Sequence, residues 1–362
     1  MLKVYIFCTD TKLAHCTAVF AQGLLELQDV VIHCNIDCKQ PVRSTGIFPP
    51  KINLEKIIQS NHTLDEDILI IDESREIGRF FLQNPIAEFY ENVSKISRKK
   101  PVAIFYMSDD SNATKFPSDI PLYISHKNSN ADLNPHSKSL PFASSLDLYK
   151  KAENELSYRK IRHKSIINNF NVSFNQSVRA LLELALVPIL EQDYAIDYDS
   201  LSPEDYAKRL ASSAAILAYG GSFYQNPSTH AYINELNKDD ELFNTVNNFP
   251  NLKKKTAVFR WDSWRFWEAV FFGCAPLQLD FEKYGFELYK NPTKWEHYIP
   301  VDLSSICSSL QELRLRIKDE TNYLVRVGES ARNWGLENYH PVTLAQNFLN
   351  DFNLVRVQKK RI

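Results

Sequence analysis

Asp262, Arg265 and Glu268 stand three residues apart within the apolar run RWDSWRFWEAVFFGCAP, Arg260 to Pro276. On a helix that spacing keeps all three within about a third of the circumference. An arginine so placed suits a diphosphate, because its planar fork is always charged and binds two oxygens at once. A glutamate farther along suits a vicinal diol such as that of a ribose. The competing reading is a plain Arg–Glu pair that ties the helix to its neighbour. What favours chemistry is position: helix N-termini attract phosphate, and open α/β sheets bind ligands beyond the carboxyl ends of their strands.

The flanking elements follow from local signals. Ala257-Val258-Phe259 reads as a strand. Asp262 or Ser263 then caps a helix by accepting its first backbone N–H groups, capping being the first reading for Asp262 and contact with a ligand's hydroxyls the second. Ser263 can also offer its backbone N–H to a phosphate. The helix runs to about Phe272 and Gly273 stops it. Ala275-Pro276 lead into a second strand, Leu277-Gln278-Leu279, so the stretch is expected to form one βαβ unit.

The rest of the chain reads as two successive β-α-β runs. Leu2–Phe7, the helical pattern Lys12–Leu27 and Val30–Ile36 open a parallel sheet. The turn between them, Cys8 to Lys12, has no glycine, so the G-x-G-x-x-G fingerprint is missing and no dinucleotide cofactor is expected there. Further strands are predicted at Ile68–Ile71, Pro101–Met107 and Leu122–Ser125. Asp65-Glu66-Asp67 precedes its strand and reads as a solvated turn, whereas Asp72-Glu73-Ser74 follows it and lies on the ligand edge. The polar, proline-bearing stretch Lys127–Ser145 is the best linker. Arg159, Arg162, His163 and Lys164 form a basic cluster before a strand at Ser165–Val172. Then come a helix from Val178 to Leu190 with Arg179 at its start, a helix from Pro203, and a strand Ala214–Tyr219 ending in Gly220-Gly221. Ser222–Lys255 reads as a helical insertion, and helices at Tyr323–Glu337 and Thr343–Phe352 close the chain.

Composition narrows the classes. The 362 residues, 44% hydrophobic and 12% aromatic, suit two ordinary domains with real cores. A net charge of −2 gives no whole-protein field for nucleic acid or an anionic membrane. The basic tail Lys359-Lys360-Arg361 reads as solvated, with peripheral membrane contact the minor reading. The six cysteines form no C-x-x-C pair, and Cys34-x-x-x-Cys38 beside His33 has no second ligand pair for zinc, so reduced thiols and no metal are expected. No apolar run approaches the roughly 20 residues of a membrane span, and the N-terminus turns polar too soon for a signal peptide; a cytoplasmic location is the expectation. No G-x-S-x-G elbow and no Walker glycine-lysine loop appears, which argues against hydrolase and NTPase readings.

The run Asp262-Ser263-Trp264-Arg265-Phe266-Trp267-Glu268-Ala269, followed by Gly273-Cys274-Ala275-Pro276, resembles the R-x-x-E-A-x-x-x-G-x-x-P segment of GT-B glycosyltransferases, closest to their exostosin-like branch. His297-Tyr298-Ile299-Pro300-Val301 resembles the H-Y-I-P-V strand of those enzymes. Asn175-Gln176-Ser177-Val178-Arg179 resembles the arginine-bearing start of the first helix of their donor domain, and Tyr206 through Gly221 their Y-x-x-x-L-x-x-S … G segment. The four pieces cover roughly the second half of the chain and keep the family's order.

That resemblance implies an α/β fold of two Rossmann-like domains facing a central cleft. Residues 1–145 would form the acceptor-side domain, 146–340 the nucleotide-sugar (donor) domain, and 341–362 a C-terminal helix packing back on the first. It implies transfer of a sugar from a nucleoside-diphosphate sugar to a glycan, lipid-linked or protein acceptor, without cofactor or metal. Arg179 and Arg265 would neutralise the leaving diphosphate, Glu268 would take the ribose, and Asp262 and Ser263 would add donor contacts. For a base that takes the acceptor's proton, Asp10 at the first strand's carboxyl end is the first choice, with His15, Asp109 and His126 competing. Retention and inversion stay open. The missing glycine-rich first loop departs from many members and keeps two alternatives alive: a non-catalytic GT-B-like glycan- or partner-binding protein, and another nucleotide-sugar enzyme such as an epimerase.

Overall fold

The computed structural model describes residues 1–36, 42, 47–51, 57–60, 65–73, 86–107, 116–129, 136–157, 162–169, 177–224, 257–303, 305–319 and 322–354. The chain divides into two compact units. One comprises Met1–Lys127, Asp132–Leu148 and Glu337–Ile362, the other Asn128–Ala131 and Tyr149–Leu336.

The first unit is built on a seven-stranded parallel sheet in the order β3-β2-β1-β4-β5-β6-β7. Its strands are β1 (Leu2–Cys8), β2 (Val30–Cys34), β3 (Ile57–Gln59), β4 (Ile68–Glu73), β5 (Val102–Tyr106), β6 (Leu122–Ile124) and β7 (Lys138–Ser139). Every residue of β4 and β5 is buried, as a parallel sheet covered on both faces requires. On one face Leu69, Ile71, Ile104 and Tyr106 pack with Val93 and Ile96 of helix α2 (Ile86–Ser97). On the other, Phe20 of helix α1 (His15–Leu25) meets Phe105 edge-on at 5.1 Å. Phe348 of the last described helix (Pro341–Asp351) closes that cluster against both rings. The expected linker, Lys127–Ser145, contains β7, which pairs with β6 and extends the sheet. A two-residue polar strand carries no hydrophobic pattern by which sequence could reveal it.

The second unit carries a five-stranded parallel sheet, ordered β14-β13-β10-β8-β9. It comprises β8 (His163–Ile167), β9 (Ala195–Asp197), β10 (Ser213–Leu217), β13 (Ala275–Leu279) and β14 (Ile299–Val301). A separate antiparallel ribbon joins β11 (Ser222–Tyr224) to β12 (Ala257–Phe259). The strand predicted at Ala257–Phe259 therefore exists, but it pairs outside the main sheet. The expected βαβ unit is corrected accordingly: the parallel neighbour of β13 is β10. The predicted helix Val178–Leu190 is two helices, α4 (Ser177–Ala185) and α5 (Val187–Leu190). Pro188 lacks the N–H that a continuous helix would need and enters at the start of α5 instead. Helix α6 (Pro203–Ser212), capped by Ser202, completes the approach to β10. The expected insertion Ser222–Lys255 lies, beyond β11, outside the described residues, as does the basic tail.

Candidate functional site

Helix α7 (Trp264–Phe272) forms where its local sequence predicts. Ser263 is the N-cap: its hydroxyl accepts from the Phe266 N–H (3.3 Å) and donates to the Ala218 carbonyl (2.6 Å). Gly273 closes the helix at φ 65°, the left-handed conformation that glycine adopts without steric cost. Asp262 is not the cap. Its Oδ1 accepts from the indole N–H of Trp267 at 2.7 Å, and Trp267 stacks on Trp334, which stacks on His297. The bond from Ser263 to Ala218, the residue just past β10, pins the start of α7 to the carboxyl end of that strand. The helix thus begins on the ligand edge at the end of β10, although β12, the strand before it in the chain, pairs outside that sheet.

That edge is also where the sheet changes direction. From β8 the chain steps outward to β9, then crosses back to β10 on the other side, so the carboxyl ends of β8 and β10 flank the switch point at which open α/β sheets bind ligands. Asn169 follows β8, and Arg265 is anchored on it: Nε donates to Asn169 Oδ1 (3.2 Å) and Nη2 to the Asn169 carbonyl (3.1 Å). Arg179, from the first turn of α4, donates from Nε to the Tyr219 carbonyl (3.2 Å), two residues past β10. A Cβ placed at Gly220 would stand 3.4 Å from Ser263 Cβ and 3.6 Å from Arg179 Nη2, so both groups line one short stretch of backbone. Arg179 is 7% exposed. Burial first, and the charge of Arg265 second, push its guanidinium down to about 9. Two cations are thus held together in a poorly solvated place, where an anion's charge is worth most.

Glu268 sits one turn beyond Arg265, 4% exposed, its Oε2 accepting from the Tyr206 hydroxyl at 2.8 Å. Burial raises its pKa, while Arg265 and Tyr206 oppose the rise. The structure therefore brings Arg179, Ser263, Arg265 and Glu268 to one switch point, with Asp262 immediately before the helix. Sequence reasoning did not single out Asn169 or Tyr206 as partners; each contacts α7 from a distant part of the chain. Arg162 was read as part of a basic cluster. It instead donates to the carbonyls of Leu210, Ser213 and Phe272, satisfying the chain at the ends of α6 and α7.

In the first unit, Asp10 lies just past β1, partly exposed, its Oδ1 accepting from the Thr11 N–H (2.7 Å). His15 is buried, which depresses its pKa to about 3, and His126 packs edge-on against Phe142. Asp109 lies outside the described residues. Asp72 accepts from the Ala14 N–H (2.9 Å) and the Thr17 hydroxyl (2.7 Å), holding the start of α1 from a neighbouring strand. Glu73 is 1% exposed, and its carboxyl is pushed up to about 8, by burial first, with Asp72 and Asp10 adding to it and Thr9 opposing.

That shift has a sign. The unfolded chain ionises Glu73 near 4.5, while the folded unit holds the proton to about pH 8. Between these values the unfolded state binds fewer protons, so stability falls as pH rises, and this contribution is flat outside the window. Glu73→Gln removes the slope. In thermal scans its midpoint exceeds the parent's at about pH 8.5 and the gap closes towards about pH 4.5; an equal gap at both ends contradicts the assignment.

Among the described residues no group of three or more His, Cys, Asp and Glu side chains is arranged to hold a metal. Cys8, Cys16, Cys34, Cys274 and Cys307 are free thiols. No described helix is long and apolar enough to cross a membrane.

No protein-family profile matches the chain, and no curated protein matches it in sequence. Solved structures do resemble it over its whole length. An α-glucosyltransferase in complex with UDP matches with a TM-score of 0.52 at 12% identity, covering 97% of this chain and 99% of that one. An α-glucosyltransferase in complex with UDP and a 13-mer DNA containing an HMU base matches with a TM-score of 0.52 at 12% identity, covering 98% and 99%. The likeness establishes the fold: α/β, with the two parallel sheets of the GT-B glycosyltransferases.

Proposed function

We propose that this chain is a glycosyltransferase that moves a sugar from a nucleoside-diphosphate sugar to a glycan, lipid-linked or protein acceptor. The observation that carries the reading is the pair Arg179–Arg265 at the switch point of the second sheet, beside the Ser263-capped start of α7. Negative charge grows on the diphosphate as the glycosidic bond breaks. Two fixed guanidiniums and a helix N-terminus stabilise that charge without reorganising. In this reading Arg179 and Arg265 take the diphosphate and Ser263 adds its backbone N–H. Glu268, steadied by Tyr206, takes the ribose diol with its other oxygen. Asp262, through Trp267, sets the first turn of α7 against the donor. No metal or cofactor is required, since the arginines supply the positive charge.

Asp10 is the proposed base on the acceptor side. The order of the four sequence pieces supports a place nearest the exostosin-like branch. A net charge of −2 supports a glycan or lipid-linked acceptor over nucleic acid, and a cytoplasmic enzyme with at most peripheral membrane contact.

Isothermal titration with UDP, GDP, dTDP and CDP tests the proposal. At least one nucleotide binds with a Kd of roughly 1–100 μM, about 5–8 kcal/mol, in the range of substrate-like affinities. Silence across all four removes the proposal. Release of the nucleotide from its glucose, galactose or N-acetylglucosamine conjugate then separates an enzyme from a binding protein.

A further inference from the structure

The first sheet has its own switch point, between β1 and β4. From β1 the chain leaves towards β2 on one side, and β4 begins the run to β5 on the other. Helix α1 packs on one face and α2 on the opposite one, so the carboxyl ends of β1 and β4 flank the position at which open α/β sheets take ligands. Two carboxyls at the end of β4 divide between the faces, as successive strand residues must. Asp72 points towards α1 and is consumed in holding its start, through Ala14 and Thr17. Glu73 points the other way, at the end of the apolar row Leu69–Ile71 and in register with Tyr106.

Glu73 is the unexplained group. It is 1% exposed, and its Oε2 has no hydrogen-bond partner among the described residues. Leaving a buried polar atom unmatched costs about 1–3 kcal/mol, so such an atom calls for a function. Among the described residues, Thr9, Asp72 and Asp10 are the polar groups that act on its carboxyl. Asp10, at the end of β1, is the partly exposed member.

We propose that Glu73 and Asp10 form a hydroxyl-binding subsite at this switch point, in which Glu73, as a neutral carboxylic acid, donates its proton and Asp10 accepts one, together gripping neighbouring hydroxyls of a sugar acceptor. The proposal rests on the glycosyltransferase reading for the ligand's identity. It makes Glu73 a positioning residue and leaves proton abstraction to Asp10. A carboxylic acid beside a carboxylate matches a polyol, whose hydroxyls both donate and accept. Keeping Glu73 protonated also avoids setting two like charges side by side. The chemistry excludes an anionic ligand, which Asp10 would repel.

The test uses methyl β-glucopyranoside, methyl α-mannopyranoside and methyl β-galactopyranoside as probes, titrated into the full chain by saturation-transfer NMR. At least one binds the parent. Glu73→Gln keeps a neutral donor and retains that binding within about threefold, whereas Glu73→Ala and Asp10→Asn weaken it about tenfold, the worth of one hydrogen bond to a charged or buried group. Raising the pH from about 6.5 to about 9 weakens binding to the parent and not to Glu73→Gln, a readout that a merely structural glutamate would not move. The proposal falls if no glycoside binds the parent at about 20 mM, if Glu73→Gln binds as poorly as Glu73→Ala, or if the pH response is the same in both. If Glu73→Ala fails to fold, the glutamine variant and the pH comparison still decide. UDP titration of the parent chain is the separate check on the donor reading. Nucleotide binding without any glycoside binding overturns the subsite alone, and the reverse overturns the donor reading alone.

Discussion

Arg265→Met weakens nucleotide binding by about 10- to 100-fold, the loss expected when a charge-assisted, bidentate contact worth about 1.5–3 kcal/mol is removed. The side chain is aimed in advance: two bonds to Asn169 fix its plane, so little rotamer entropy is left for the ligand to overcome. Arg265→Lys recovers only part of the affinity, because an ammonium keeps the charge but loses the fork. Arg179→Met has a smaller net effect. Removing it relieves the repulsion between the two cations and the burial that already pushes Arg179 down to about 9. The double variant therefore loses less than the two singles added together, as groups that share one ligand do. Calorimetric titration of the four proteins with UDP measures each term. An Arg265→Met protein that binds as tightly as the parent refutes the placement of the diphosphate.

Gly328→Ala lowers the melting midpoint of the second unit by roughly 2–10 °C, the shift that a loss of about 1–3 kcal/mol gives in a domain of about 150–250 residues. Gly328 lies in helix α10 (Tyr323–Tyr339), whose backbone passes directly over Gly273. A methyl group there would fall far inside van der Waals contact with the Gly273 carbonyl oxygen, and backbone cannot step aside as a flexible side chain can. One turn on, Arg332 Nε donates to the Phe271 carbonyl at 3.1 Å, so the same helix also closes the end of α7. Pushing α10 outward loosens the helix that carries Arg265 and Glu268. Nucleotide affinity therefore falls along with the midpoint. Differential scanning calorimetry checks the first effect, and a midpoint within about 1 °C of the parent's contradicts the packing.

What the sequence made legible was what is local. Helix α7 announces itself through a cap, an apolar face and a terminal glycine: the stop at Gly273 is as expected, and the cap falls on Ser263, one of the two residues expected. The succession of strands and helices likewise revealed two parallel sheets, since buried strands read as apolar runs wherever they lie. Pairing was not legible. Ala257–Phe259 looks the same whether it joins a parallel sheet or an antiparallel ribbon, because three apolar residues carry no record of their partner. The supports of the site were hidden for the same reason. Tyr206 reaches Glu268 across 62 residues and Asn169 reaches Arg265 across 96. Neither leaves a periodic trace. Pro188 was a legible signal that the apolar pattern around it outweighed.

Asp72 gives a reason why two units of one architecture are not interchangeable. A Rossmann-type unit ordinarily greets a nucleotide with the exposed amides where its first helix begins. In the first unit a resident carboxylate already occupies that place, tethered by its own strand at an effective concentration no soluble anion matches. A phosphate arriving there would have to evict a permanent tenant of the same charge. The corresponding seat in the second unit is flanked by cations instead. Under the proposed function, a single internal carboxylate would thus turn a nucleotide away from one half of the chain and leave it the other.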